Sequence, residues 1–175
     1  VIGASSQPGK VGYTVVDNII KSGYAGTIYP INPKAPEILG HKAYPNITAC
    51  PETPEIAVFV IPAKFCVATA EDCGKKGVRG IVVITAGFKE VGGQGVEMEK
   101  QLVEIGKKYN MRIIGPNVLG VCTPTFNCTF ASKAPKKGPI AFLSQSGAML
   151  TAILDWSFSH NIGFSNFISL GNKCD

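Results

Sequence analysis

The chain opens Val1-Ile2-Gly3-Ala4-Ser5-Ser6-Gln7-Pro8-Gly9-Lys10-Val11-Gly12, and the reading of this stretch decides the fold. A short apolar run breaks into small polar residues and glycines, after which Val15, Val16, Ile19 and Ile20 recur at helical spacing. The pattern predicts strand, loop, helix. A helix that begins directly out of such a loop offers unpaired backbone N–H groups and the positive end of its dipole, so an anion fits there. Glycine-rich turns between strand and helix also serve packing alone, and the rest of the sequence has to decide between the two.

Downstream, strands and helices alternate. The first helix is expected to end near Gly23, and residues 27–31 supply a second strand closed by Asn32-Pro33-Lys34. In nicotinamide-binding sheets a carboxylate stands at this strand end to accept from the ribose hydroxyls, whereas a cation favours a phosphate on that ribose. Lys34 is a cation. Residues 37–55 are rich in proline and turn formers, with a short strand around His41-Lys42-Ala43-Tyr44. Residues 56–61 and 80–85 are nearly continuous apolar runs, the pattern of parallel strands covered on both faces. Between them a helix over 63–76 places Cys66, Ala70 and Cys73 on one side and stops at Gly77. A further helix carries Met98, Leu102, Ile105 and Tyr109 on its apolar side and Glu97, Glu99, Lys100, Glu104, Lys107 and Lys108 on a face expected to be solvated. Residues 111–114 form the next strand, ending at Gly115-Pro116-Asn117.

This alternation predicts an α/β fold with a Rossmann-like parallel sheet, whose ligands lie beyond the C-terminal strand ends. The first domain is assigned to residues 1–131 and a linker to 132–138. Residues 139–175 read as the incomplete start of a second, flavodoxin-like α/β domain. There the strand-to-helix device recurs: Pro139-Ile140-Ala141-Phe142-Leu143 runs into Ser144-Gln145-Ser146-Gly147. The helix that follows has Met149, Ile153 and Trp156 on one expected face, and a strand over 164–170 comes next. Ser144 or Ser146 can cap this second helix, and the free N–H groups near Gly147 can hold a phosphate.

Composition narrows the classes. With 45% hydrophobic and 17% charged residues the chain is a folded globular protein, and no apolar run approaches the roughly 20 residues that span a bilayer. No signal peptide is visible, so a cytoplasmic location is expected. Val1 falls inside the first strand, and the natural chain is expected to extend before it. A net charge of +5 is too small and too dispersed for a nucleic-acid surface but suits a polyanionic small ligand. The six cysteines lack metal-ligand spacing and lie in apolar settings such as Lys64-Phe65-Cys66-Val67, so free thiols and no metal site are expected.

Five motifs taken in order carry a family resemblance: residues 3–12, Ile31-Asn32-Pro33-Lys34, Ile61-Pro62-Ala63, Ile114-Gly115-Pro116-Asn117 with Gly120, and Leu143-Ser144-Gln145-Ser146-Gly147. The set resembles the CoA-binding, alpha-type region of the nucleoside-diphosphate-forming acyl-CoA synthetases, the superfamily of succinyl-CoA synthetase and ADP-forming acetyl-CoA synthetase. The resemblance implies that Ser5, Ser6, Gln7 and Pro8 with Lys34 hold the nucleotide end of coenzyme A. Pro62, Thr85, Ala86 and Gly87 would then lie along the pantetheine arm, and Gly3, Gly9 and Asn117 complete the CoA-contacting set. Ser144, Gln145, Ser146 and Gly147 would receive a phosphohistidine.

By the same resemblance the family interconverts acyl-CoA, ADP and phosphate with acid, ATP and CoA. It uses a small carboxylic acid, and ADP/ATP with Mg on an ATP-grasp, beta-type subunit or domain, in an oligomer. The phosphohistidine is expected beyond Asp175, since neither His41 nor His160 matches it, so the fragment alone is expected to bind CoA without turnover. Gln145 stands where succinyl-type members have arginine; with Gly171-Asn172-Lys173 it points to the ADP-forming acetate type. Two alternatives remain at this level: a CoA-binding regulatory module fused to a protein acetyltransferase, and an NAD(P)-binding oxidoreductase domain. Lys34 and the lack of an acid–base constellation weigh against the latter.

Overall fold

The computed structural model describes all residues 1–175. The opening stretch lies at the centre of a parallel sheet, where Ile2 bridges Ile31 on one side and Phe59 on the other, and Ile31 in turn bridges Tyr44. A small antiparallel hairpin, β1 (Glu37–Ile38) and β2 (His41–Lys42), precedes Tyr44. On the other side of Ile2, β3 (Ile56–Phe59), β4 (Gly80–Val83) and β5 (Arg112–Ile114) add in parallel. The order across the sheet is therefore Tyr44, Ile31, Ile2, β3, β4, β5, and it reverses direction beside Ile2. Ligands of doubly wound sheets bind at such a reversal.

The strands expected over 1–2 and 27–31 shrink to single-residue bridges. Their hydrogen bonds are those of a ladder, with the N–H of Ile2 donating to the Val58 carbonyl at 2.8 Å and that of Ile31 to the Val1 carbonyl at 2.8 Å. Gly3, at φ +91°, then turns the chain out of the sheet. Pro30, next to Ile31, has no N–H to extend the second ladder. The runs at 56–61 and 80–85 likewise leave the sheet after Phe59 and Val83, and their last residues become loop.

Three helices cover the sheet: α1 (Val11–Lys21), α2 (Ala63–Lys76) and α3 (Gln94–Tyr109). The alternation within β3 and β4 explains why both runs are apolar throughout. Ala57, Phe59, Ile81 and Val83 enter one core with Cys66, Ala70, Cys73 and Leu102, while Val58, Val82 and Ile84 enter another with Val15 and Ile19. α2 occupies its expected span, with Gly77 capping it at φ +90°. On α1, Val15, Val16 and Ile19 are buried as expected, but Ile20 is 36% exposed. Glu99 on α3 overturns the expectation of a solvated face: it is 6% exposed, because Lys89 and Asn172 close over its carboxylate.

The later part of the chain departs most from its reading. β6 (Val121–Thr123) and β7 (Phe126–Asn127) form an antiparallel hairpin that the sequence reading did not include. β8 (Lys137–Ser144) and β9 (Phe164–Ser169) pair in parallel, and β9 pairs antiparallel with β6, so the second sheet runs β7-β6-β9-β8. It draws strands from both sides of the segment assigned as a linker. α4 (Gly147–Ser159) packs on it through Leu150, Leu154 and Ser157; of the expected face only Ile153 packs against the same core, while Met149 is 56% and Trp156 47% exposed. This helix is apolar almost all round, so periodicity could not choose the side. Leu119, Cys122, Phe164 and Phe167 decide it by lying beneath Leu150 and Leu154.

Where α1 begins, a Cβ on Gly12 would collide with the Gly3 carbonyl oxygen. Gly12→Ala is expected to lower the unfolding free energy by about 1–3 kcal/mol in denaturant titration, with part of the cost relieved by a shift of α1 away from the loop.

Candidate functional site: a trough joining two helix N-termini

The loop between Ile2 and α1 is built by local polar contacts. Ser5 Oγ accepts from the N–H of Gln7 at 3.0 Å, and the N–H of Lys10 donates to the Gln7 carbonyl at 3.3 Å. Asn32 ties the loop to the neighbouring strand end, donating through Nδ2 to the Ala4 carbonyl at 2.8 Å and accepting at Oδ1 from the N–H groups of Lys34 and Ala35. At the N-cap of α1 stands Lys10, whose side chain supplies no acceptor to the helix. The first N–H groups therefore remain available, and the cap residue itself brings a positive charge.

A cleft of about 600 Å³ opens in front of this loop, lined by Gly3, Ser5, Lys10 and Asn32 on one side and by Phe65, Thr69 and Asp72 of α2 on the other. A second cleft, of about 740 Å³, is lined by Thr85, Ala86 and Asn117 and by Gln145, Ser146 and Gly147 at the start of α4. Val11, Val60 and Ile61 line both, so the two clefts adjoin as a bipartite trough. At its far end Ser146 caps α4, its Oγ accepting from the N–H of Met149 at 3.2 Å, while Ser144 Oγ accepts from the N–H of Ser146 at 3.1 Å. Thr85 Oγ1 donates to the Ile61 carbonyl at 2.7 Å and joins the β3 and β4 loops in the middle of the trough.

The structure brings most of the sequence-derived residues together. Gly3, Ser5, Thr85, Ala86, Asn117, Gln145, Ser146 and Gly147 line the trough; Gly87 and Ser144 sit directly beside lining residues. Ser6, Gln7, Pro8 and Gly9 form the exposed rim of the first loop, Pro62 caps α2 between the clefts, and Lys34 projects exposed at the second strand end. Other lining residues, among them Lys10, Val11, Phe65, Thr69 and Asp72, were given no ligand contact from sequence; Val11 and Phe65 are 42% and 52% exposed. Exposed apolar side chains beside a glycine loop are the signal that was available. His41 lies in β2, and His160 lies at the end of α4 remote from Gly147, where its ring stacks on Trp156 at 4.2 Å.

No group of three or more His, Cys, Asp or Glu side chains is arranged to hold a metal ion, and no helix is long and apolar enough to cross a membrane. All six cysteines are free and five are buried. Burial pushes the thiols of Cys66 and Cys122 up to about 11 and those of Cys73 and Cys128 up to about 12, so these sulfurs stay protonated at neutral pH. The clefts thus offer helix N-termini, backbone N–H groups and Lys10, which suit an extended anionic ligand.

Comparison with known proteins identifies the family. The model of the CoA binding domain family matches residues 1–124. The chain belongs to the CoA-binding domain family. Residues 137–175 also match the succinyl-CoA ligase like flavodoxin domain. It is 49% identical over 175 residues to acetate–CoA ligase (ADP-forming) I of Archaeoglobus fulgidus, covering 99% of this chain and 25% of that protein. Against the acetate–CoA ligase (ADP-forming) I subunit alpha of Pyrococcus furiosus the identity is 45%, with 100% of this chain and 39% of the relative covered. The solved dinucleotide forming acetyl-coenzyme A synthetase 1 of Ca. Korarchaeum cryptofilum, in complex with phosphate and ADP, superposes with a TM-score of 0.95 at 42% identity, covering 100% of this chain and 38% of the other. The chain thus spans between 25% and 39% of the length of these relatives.

The burial of the thiols has a direct readout. Burial pushes the Cys174 thiol up to about 12 as well, so access and not acidity sets the order: an aromatic disulfide reagent should modify half-buried Cys174 first and leave the other five largely untouched, with all six reacting once the chain is unfolded.

Proposed function

We propose that this chain is the CoA-binding part of an ADP-forming acyl-CoA synthetase of the acetate type. Coenzyme A lies along the trough, and the start of α4 receives a phosphoryl group at the far end. The observation that carries this reading is that the two clefts adjoin at Val11, Val60 and Ile61, which puts two helix N-termini within one extended ligand-sized region. The names of the relatives support it.

The roles follow from chemistry. The nucleotide end of CoA meets the loop of Gly3, Ser5, Ser6, Gln7, Pro8 and Gly9, with Lys10 at the helix cap and Lys34 facing the ribose phosphate. The pantetheine arm, a chain of amides and methylenes, runs past Pro62, Thr85, Ala86, Gly87 and Asn117. Ser144, Gln145, Ser146 and Gly147 hold the phosphoryl group with donors oriented before it arrives, which lowers the cost of gathering charge there. In the whole enzyme the reaction is acyl-CoA + ADP + phosphate ⇌ acid + ATP + CoA for a small carboxylic acid. It passes through a phosphohistidine beyond Asp175 and uses ADP/ATP with Mg on an ATP-grasp, beta-type subunit or domain. We infer a cytoplasmic oligomer in which residues 1–131 bind CoA, 132–138 connect, and 139–175 begin the second domain.

Calorimetric titration with CoA, dephospho-CoA and NAD tests the assignment. CoA should bind, removal of its ribose phosphate should weaken binding, and tighter binding of NAD would refute the proposal. Lys34→Ala should weaken CoA by roughly tenfold or more, since a charge-assisted hydrogen bond contributes about 1.5–3 kcal/mol, while leaving dephospho-CoA nearly unchanged.

A further inference from the structure

Behind the middle of the trough lies a polar cluster that no CoA-contacting role accounts for. One oxygen of Glu90, Oε1, accepts from the N–H groups of Gly87 at 2.5 Å and Phe88 at 3.2 Å, folding the loop that carries Thr85 and Ala86. Its other oxygen accepts from Asn172 Nδ2 at 2.6 Å, and the same amide nitrogen donates to Glu99 Oε2 at 2.8 Å. Lys89 completes the cluster, with Nζ 3.1 Å from Glu99 and donating to the Asn172 carbonyl at 2.6 Å. Although burial works to raise the Glu90 carboxyl, the amide of Asn172 and the backbone N–H groups outweigh it and hold the group below its ordinary value.

Asn172 is itself fixed from the other side. Its N–H donates to the Pro116 carbonyl at 2.9 Å, and two residues earlier the N–H of Leu170 donates to the Ser144 carbonyl at 2.8 Å. Gly171 packs so closely that a Cβ there would meet the Asn117 carbonyl oxygen at 2.5 Å. The segment 170–172 therefore touches the wall of the trough at the Gly87 loop and the strand end that leads into α4.

We propose that Asn172 is a positioning residue: its carboxamide, shared between Glu90 and Glu99, locks the Thr85–Gly87 wall against the strand end beside α4 and so sets how tightly the pantetheine arm is held. The ligand part rests on the CoA reading above. Two facing carboxylates only accept, and a carboxamide supplies one N–H to each, while Lys89 offsets the charge. A carboxylate at 172 would set a third negative oxygen against the pair and leave the loop without its donor.

The test exchanges donor and acceptor between the partners, in the full chain. Asn172→Asp should weaken CoA by roughly tenfold and speed hydrogen exchange at the amides of Gly87 and Phe88, with Asn172→Ala milder on both counts. Combining Asn172→Asp with Glu90→Gln should recover part of the lost CoA affinity and of the lost protection, because it re-pairs position 90 while the new carboxylate still faces Glu99 with only Lys89 to offset the charge. The carboxamide introduced by Glu90→Gln still accepts from Gly87 and Phe88 through its carbonyl oxygen, while its NH2 donates to the new carboxylate. A side chain that merely filled space would not respond to this swap. Unchanged affinity and exchange in Asn172→Asp, or a double variant no better than the single one, overturns the proposal. If Asn172→Asp does not fold, a folded and protected double variant supports the exchange, and failure of both overturns it. Absence of CoA binding by the unsubstituted chain would defeat the CoA reading, and the exchange rates at Gly87 and Phe88 would then judge the clamp alone.

Discussion

The approach of α1 to the loop after Ile2 constrains everything around it. The Gly3 carbonyl oxygen occupies the space that a side chain on Gly12 would need, so the first turn of α1 lies against the strand end instead of standing off it. Gly3 is equally confined: a Cβ there would meet the Val60 carbonyl oxygen at 2.5 Å, which is where β3 leaves the sheet. Two glycines therefore let a helix terminus, a loop and a neighbouring strand end share one small volume. The unpaired N–H groups of α1 open into the resulting cleft.

That arrangement is repeated at a distance, and the repetition gives the trough its length. The second helix terminus, at α4, belongs to a different sheet, yet Gln145, Ser146 and Gly147 face Thr85, Ala86 and Asn117 across one cleft. The connection is covalent and packed at once, because β6 follows closely on Asn117 and pairs with β9, while β9 pairs with β8 leading into α4. The close passage of Gly171 over Asn117 and the Asn172 cluster add a second tie between the same two regions. A ligand spanning the trough would therefore meet walls whose separation is set by backbone pairing, which limits the ordering that binding requires.

Much of the fold was legible in the sequence where one physical pattern acted alone. The helix over Ala63–Lys76 could be placed because its apolar stripe, its last-turn lysines and the Gly77 stop agree. The runs at Ile56–Phe59 and Gly80–Val83 announced burial on both faces because neither contains a polar residue, and all but their first residues are buried, Ile56 being 51% exposed. Where two patterns competed, the reading failed. α4 is apolar nearly all round, so Met149 and Trp156 looked as suitable for the core as Leu150 and Leu154. The hairpin at Val121–Thr123 and Phe126–Asn127 is too short to show a period, and Pro124 sits in its turn. Glu99 looked solvated because five other charged residues share its helix, and only Lys89 and Asn172, distant along the chain, make its burial tolerable.

The candidate site divides along the same line. Local sequence by itself determined the two strand-to-helix loops, the glycines that free their helix termini, and the cation at position 34, since each depends on neighbours within a few residues. It also determined that buried thiols fill the core, because cysteine in an apolar run behaves as a small hydrophobe. Tertiary structure alone decided that the clefts before the two loops adjoin, that Lys10 and Phe65 join their walls, and that Asn172 reaches two carboxylates more than seventy residues away. The reason is physical: backbone conformation and hydrophobic periodicity are local, whereas the pairing of β6 with β9 and the desolvation of Glu99 depend on groups that only the completed fold brings together.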